Sequence, residues 1–224
     1  MSRAQNAILS RVAAVLFAVA MPAASFAATI NFMGTGKGEV VSIHSPSLGN
    51  VSVRAGELLW SAGSPSELPL LFYAYCVDPN HWLSVSQSIT VRRAEDLDTL
   101  WVEDAGGKAA WLIRTYAPTI HASGTNTDAA APQIAVWGAM YNASGNLTEG
   151  PFRLNSGGPV ATLAPSLLNT VFTGPAGVQT ANAAWLDTTA GQDQMIPTPE
   201  PATFILMGTG LIAAWRIARR KREE

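Results

Sequence analysis

Three prolines fall within six residues at Ile196-Pro197-Thr198-Pro199-Glu200-Pro201. Each removes a backbone donor and fixes φ, so the stretch reads as unable to continue a helix or a central strand. It is therefore expected to close the folded region, with residues 194–201 as a proline-rich linker. The other boundary lies near the start. Arg3 and Arg11 bring positive charge, Val12 to Met21 form a short apolar core, and Pro22 to Ala28 are mostly small. Ser25-Phe26-Ala27 has the small side chains that a signal peptidase requires, so residues 1–27 read as a signal peptide cut after Ala27. The apolar core is too short for a permanent span.

Beyond the prolines the chain changes character again. Residues 202–215 carry no charge and, apart from Thr203 and Thr209, little that is polar. Arg216, Arg219, Arg220, Lys221 and Arg222 follow as a dense basic cluster. The stretch is short for a spanning helix unless the arginine stems snorkel. Positive charge stays on the cytoplasmic side, which puts the bulk of the chain outside.

Pro199-Glu200-Pro201, a short apolar helix and a terminal arginine cluster together resemble the PEP-CTERM sorting signal of Gram-negative bacteria. That resemblance implies processing by an exosortase after an inner-membrane intermediate, then display at the cell surface or in the extracellular matrix. It also implies a setting of exopolysaccharide and biofilm. It supplies an address and no activity.

The region between the two ends holds about 174 residues, enough for one domain with a core of its own. It keeps 7 basic residues against 14 acidic ones once the end segments are set aside. That balance argues against nucleic acid or anionic lipid as a partner. Cys76 is the only cysteine, so no internal disulfide can form.

The pattern from Thr29 to about Arg93 is β-like. Glu39 to Ile43 and Val51 to Arg54 form a hairpin around Ser45 to Asn50. Leu70 to Val77 suits a buried central strand, and Val85 to Val91 a further one. Gly34, Gly36 and Gly38 read as a flexible turn rather than a phosphate cradle, since no helix or lysine-serine pair follows. After Ala94 the period turns helical. Helices are expected from Glu95 to Trp101, from Lys108 to Tyr116 (ended by Pro118), and from Asp128 to Tyr141 with Asp128 as cap. A last helix spans Val160 to Phe172, with Pro165 breaking or kinking it, and Ala176 to Asp193 reads as small and polar. The fold class expected is α+β: a β-sandwich or barrel-like sheet with a helical subdomain over 28–193, plus a single C-terminal hydrophobic helix within 202–224.

Glu95, Asp96 and Asp98 read as a solvated first turn rather than a metal site. His44, His81 and His121 are far apart and read as loop or packing residues. There is no HExxH, no GxSxG and no cysteine pair, so neither an enzyme, a metal nor another cofactor is expected.

Two segments carry the remaining chemistry: Phe72-Tyr73-Ala74-Tyr75-Cys76-Val77-Asp78 and Ala131-Pro132-Gln133-Ile134-Ala135-Val136-Trp137. Their order, with Ala109 to Ile113 between them, resembles the thioester domains of Gram-positive surface adhesins. The resemblance spans about residues 70 to 141, and Gln133 to Trp137 matches the closing motif at every position. It departs in having Pro132 where those adhesins commonly carry threonine. The resemblance implies an internal thioester between Cys76 and Gln133, flanked by Tyr73, Tyr75 and Trp137. It also implies covalent attachment to an amine- or hydroxyl-bearing target. The alternative reading is that Cys76 is a small buried hydrophobe and Gln133 an ordinary helix residue. The protein would then be a structural or carbohydrate-associated matrix component, with Trp60, Trp82 or Trp185 stacking on sugars.

Overall fold

A computed structural model describes residues 25–63, 67–174 and 183–198. Most of the signal peptide, the Pro199-Glu200-Pro201 motif, the apolar stretch 202–215 and the basic cluster lie outside the described residues. Among the described residues no helix is long and apolar enough to cross a membrane.

Among the described residues the architecture is α+β: one antiparallel sheet and three α-helices. Strands β1 (Phe26–Ser45) and β2 (Gly49–Ala62) form the expected hairpin, longer than its sequence pattern suggests. β3 (Leu71–Cys76) follows β2, and β4 (Ser86–Arg93) pairs with the start of β1. The short β5 (Arg153–Leu154) lies against the end of β1, while β6 (Ala183–Thr188) and β7 (Gln194–Pro197) come last. The sheet runs β2-β3-β7-β6-β4-β1-β5, and β1 also pairs with β2. Six strands thus close on themselves. Ile30 and Asn31 sit at the closure, paired with Ala62 and Ser61 on one side and with Gln87 and Ser86 on the other. Closure removes the exposed edges that an open sheet would present.

The glycine-rich stretch is not a turn. Gly34 and Gly38 lie inside β1 at two register shifts. There β1 and β2 approach so closely that a Cβ on Gly38 would stand 2.2 Å from the Ala55 carbonyl oxygen. One on Gly56 would stand 2.2 Å from that of Lys37. The bulges bend the long hairpin, as a small barrel requires.

The three helices, α1 (Ala105–Ser123), α2 (Asn126–Tyr141) and α3 (Pro159–Thr173), fall between β4 and β6. α2 is buried at every residue from Ala129 to Tyr141, packed between the other two helices and the strands β1 to β3. Its alanines and Gly138 let neighbours come close on all sides, and a helix apolar all round belongs inside. Its cap is Thr125, which accepts from the Asp128 N–H while the Asp128 carboxylate accepts from the Thr125 N–H. Asp128 is therefore the third helical residue of a capping box and not the cap itself.

Four further elements differ from their sequence pattern. Pro118 does not end α1, because it lies on the exposed side while Ala117 and Ile120 hold the last turn against the core. Glu95 to Trp101 forms only a 3₁₀ turn at Ala94–Asp96. Its carbonyls face the start of α1, where Gly106 N–H donates to Leu97 O at 3.0 Å. The small, polar stretch after Ala176 supplies β6, whose rungs with β4 run from Ala184 to Thr188. Finally, residues 194–197 are not linker. β7 lies between β3 and β6, and Pro197 is tolerated because it is the last residue, opposite Ala183. At the other end, Phe26 and Ala27 pair with Val91 and Thr90, so cleavage after Ala27 leaves Ala28 opposite Ile89 as the first rung.

The bulge makes a clear expectation. Gly38→Ala should lower unfolding stability by about 3 kcal/mol in denaturant titrations, since neither facing backbone can retreat. Gly49→Ala, at φ 69° with open space around its Cβ, should cost only about 1 kcal/mol.

Candidate functional site

Cys76 ends β3 at the point where β2 leaves it. β2 pairs with β3 from Ser61 opposite Leu71 to Leu58 opposite Ala74, and then turns into the glycine contact with β1. Backbone groups of successive strand residues point to opposite edges. Val77 N–H donates to Asp193 O beside β7 at 3.0 Å, so the N–H and C=O of Cys76 face the edge that β2 has vacated.

Gln133 fills that place. Its Oε1 accepts from Cys76 N–H at 3.1 Å, and its Nε2 donates to Cys76 O at 2.6 Å. One side-chain amide thus substitutes for a strand, satisfying a donor and an acceptor that burial would otherwise leave unpaired. Gln133 is 1 % exposed and Cys76 3 %.

Helical spacing brings two more residues of α2 to the same strand end. Trp137, one turn on, donates from Nε1 to Cys76 Sγ at 3.3 Å. Tyr141, a further turn on, donates from its hydroxyl to Asp78 Oδ1 at 3.2 Å. Asp78 also accepts from Asn80 N–H and holds the exposed His81 through Nδ1 in a short contact. That contact raises the His81 pKa above its ordinary value. Burial pushes the Cys76 thiol well up, against the lowering effect of the Trp137 N–H. The sulfur therefore rests as a neutral thiol. A cavity of about 300 Å³ opens beside it, lined by Cys76, Gln133, Trp137, His81, Trp82 and Leu83 among others.

The structure brings Cys76, Gln133 and Trp137 together, as their sequence pattern suggested. It separates Tyr73 and Tyr75 from them. Both tyrosines line a different cavity, and Tyr75 donates to Glu57 Oε1 at 3.4 Å. Alternation along β3 is the reason: residues 73 and 75 cannot share a face with residue 76. Trp60 is wholly buried, which removes it as a sugar platform, whereas Trp82 is 62 % exposed at the cavity. The sequence pattern does not mark Asp78 or His81 as part of this site, because they meet α2 only through the tertiary fold. Tyr141 is legible only as the residue that follows Gln133 and Trp137 at helical intervals.

Among the described residues no cluster of His, Cys, Asp or Glu has the arrangement of a metal site. Glu95 and Asp96 stay exposed, and Asp96 pairs with Arg93 at 3.0 Å, which holds its carboxyl below its ordinary value.

Asp193 braces the same end of the sheet, accepting from Trp185 Nε1 at 3.1 Å and Thr188 N–H at 2.9 Å. Burial nevertheless raises its pKa to about 6.

A model of the PEP-CTERM protein-sorting motif matches residues 197–222. No curated protein and no solved structure matches the chain. The motif marks an exported protein that exosortase sorts and that passes through the membrane to the cell surface. The match begins at Pro197, the last residue of β7, so the sorting segment starts where the sheet ends.

Two outcomes follow. Gln133→Ala should cost about 3 kcal/mol in urea unfolding, because it strands both backbone groups of Cys76 and leaves a void. Asp193, with a folded pKa of about 6 above its ordinary 3.8, favours the folded state while it is protonated. Its stabilisation is therefore lost as pH rises from about 4 through 6. Stability should fall between pH 4 and pH 7, and Asp193→Asn should remove about 2 kcal/mol of that fall in unfolding measured at both values.

Proposed function

We propose that this exported surface protein attaches covalently to its target through an internal thioester between Cys76 and Gln133. The observation that carries the reading is the double hydrogen bond between the Gln133 carboxamide and the Cys76 backbone, which holds the amide on the residue that bears the thiol. In the closing step the sulfur bonds to the Gln133 side-chain carbonyl carbon and the C–N bond breaks. The thiol proton leaves with the amide nitrogen as ammonia. Cys76 N–H already donates to the carbonyl oxygen, the place where negative charge develops. Trp137 Nε1–H sits on the sulfur and favours its anionic character. Burial keeps water from the product, which stays reactive until a nucleophile enters the adjoining cavity.

An amine or hydroxyl on a second molecule then takes the acyl group, leaving an amide or ester to Gln133 and returning the thiol to Cys76. The event is stoichiometric attachment rather than turnover. The bearer is a surface component or a polysaccharide of the matrix outside the cell, in a Gram-negative setting of exopolysaccharide and biofilm.

A second reading has its own observation. The neutral, buried thiol and the strand-like bonds of Gln133 also suit a purely structural clasp. The protein is then a non-catalytic matrix component, with exposed Trp82 beside the cavity as its contact for sugars.

Intact mass of the protein purified without reductant separates the two. The first reading expects a deficit of one ammonia that Cys76→Ala abolishes, together with methylamine incorporation at Gln133. Full mass with a thiol that alkylates on unfolding would sink it and leave the structural clasp.

A further inference from the structure

A second cavity, of about 270 Å³, lies between β2, β3, β7 and α1 on the other side of β3 from the Cys76 sulfur. Its walls include Phe72, Tyr73, Tyr75, Pro118 and His121, and Glu57 contributes a carboxylate. Glu57 is 2 % exposed. A buried carboxylate requires compensation, from hydrogen bonds or from a cation. Its Oε2 accepts from Lys37 N–H at 3.1 Å, and its Oε1 accepts from the Tyr75 hydroxyl at the long distance of 3.4 Å. His121 Nδ1 stands 3.7 Å from Oε1, on a side chain that is largely exposed.

The lysine next in space does not neutralise it. The Lys37 ammonium turns instead to the C-terminal end of α1, donating to Ile120 O at 2.7 Å and His121 O at 3.1 Å. That arrangement keeps the ammonium on the helix end while only the backbone of Lys37 reaches Glu57. The chain also makes room for the carboxylate, since a Cβ on Gly36 would stand 2.6 Å from Glu57 Oε2. Tyr73 and His121 meet with their ring centroids 4.6 Å apart and their planes tilted by 49°, forming an aromatic wall beside it.

A buried carboxylate among aromatic rings is the chemistry that recognises an organic cation, because the charge and the ring faces attract the same group. We propose that this cavity binds a small alkylammonium group, seated against Tyr73 and His121 with its charge on Glu57. The acidic balance of the domain draws such a cation toward the surface and repels anions. The site is independent of any chemistry at Cys76.

Tetramethylammonium is the decisive probe, since it has no N–H and cannot be acylated. Titration of the full-length protein, followed by ligand-observed NMR, should show it binding about tenfold more tightly than the neutral isostere tert-butanol. Glu57→Gln should erase that preference, and Tyr73→Leu should weaken binding of the cation about tenfold while leaving tert-butanol little changed. Equal binding of the two probes, or no binding of the cation, would overturn the proposal. If Glu57→Gln does not fold, unchanged cation affinity in Tyr73→Leu overturns it alone.

Discussion

The clasp between the Gln133 side chain and the Cys76 backbone joins the two halves of this molecule. β2 must leave β3 after Ala74 because the glycine contact draws it toward β1. That departure opens a gap in the ladder at a buried position, where unpaired backbone groups are costly. A helix residue closes it. The barrel and the helical layer are thus linked by hydrogen bonds as well as by apolar packing. Trp137 and Tyr141 extend the same helix face along residues 76–78.

This linkage explains why α2 is so uniformly buried. A helix that supplies a ladder partner must approach the strand closely, and small residues on its other faces let α1 and α3 close over it. A helix with only one apolar face would leave Gln133 near solvent, where water would compete for the backbone of Cys76. The same seclusion keeps the thiol neutral and lets it accept the Trp137 N–H without ionising.

The position of β7 ties the fold to its export signal. The strand before the sorting motif lies between β3 and β6, so the barrel closes only when the last described residues are in place. Met195 and Ile196 are buried, and Gln194 stands opposite Cys76. The chain therefore passes from a central strand to its sorting signal without a spacer, and the boundary between domain and address falls at Pro197.

Much of this was legible in the residues themselves. Alternation located the hairpin, a continuous apolar run located β3, helical spacing located α2, and the order of proline motif, apolar stretch and arginines identified the sorting signal. The pairing of Cys76 with Gln133 was legible too, as a motif, though without its geometry. Other features depend on partners distant in sequence. β6 and β7 are too short and too weakly apolar to declare themselves, and they exist because β4 and β3 offer edges to pair with. Whether the glycines of β1 make a turn or a bulge depends on Gly56 and Ala55 across the ladder. Which tyrosines shield the sulfur depends on the parity of a strand, and the Glu57 cavity on a helix returning over it. Local sequence determined which segments extend or coil and where the protein is sent. Tertiary structure decided which edges meet, because a hydrogen-bond ladder is completed by whatever the rest of the chain brings to it.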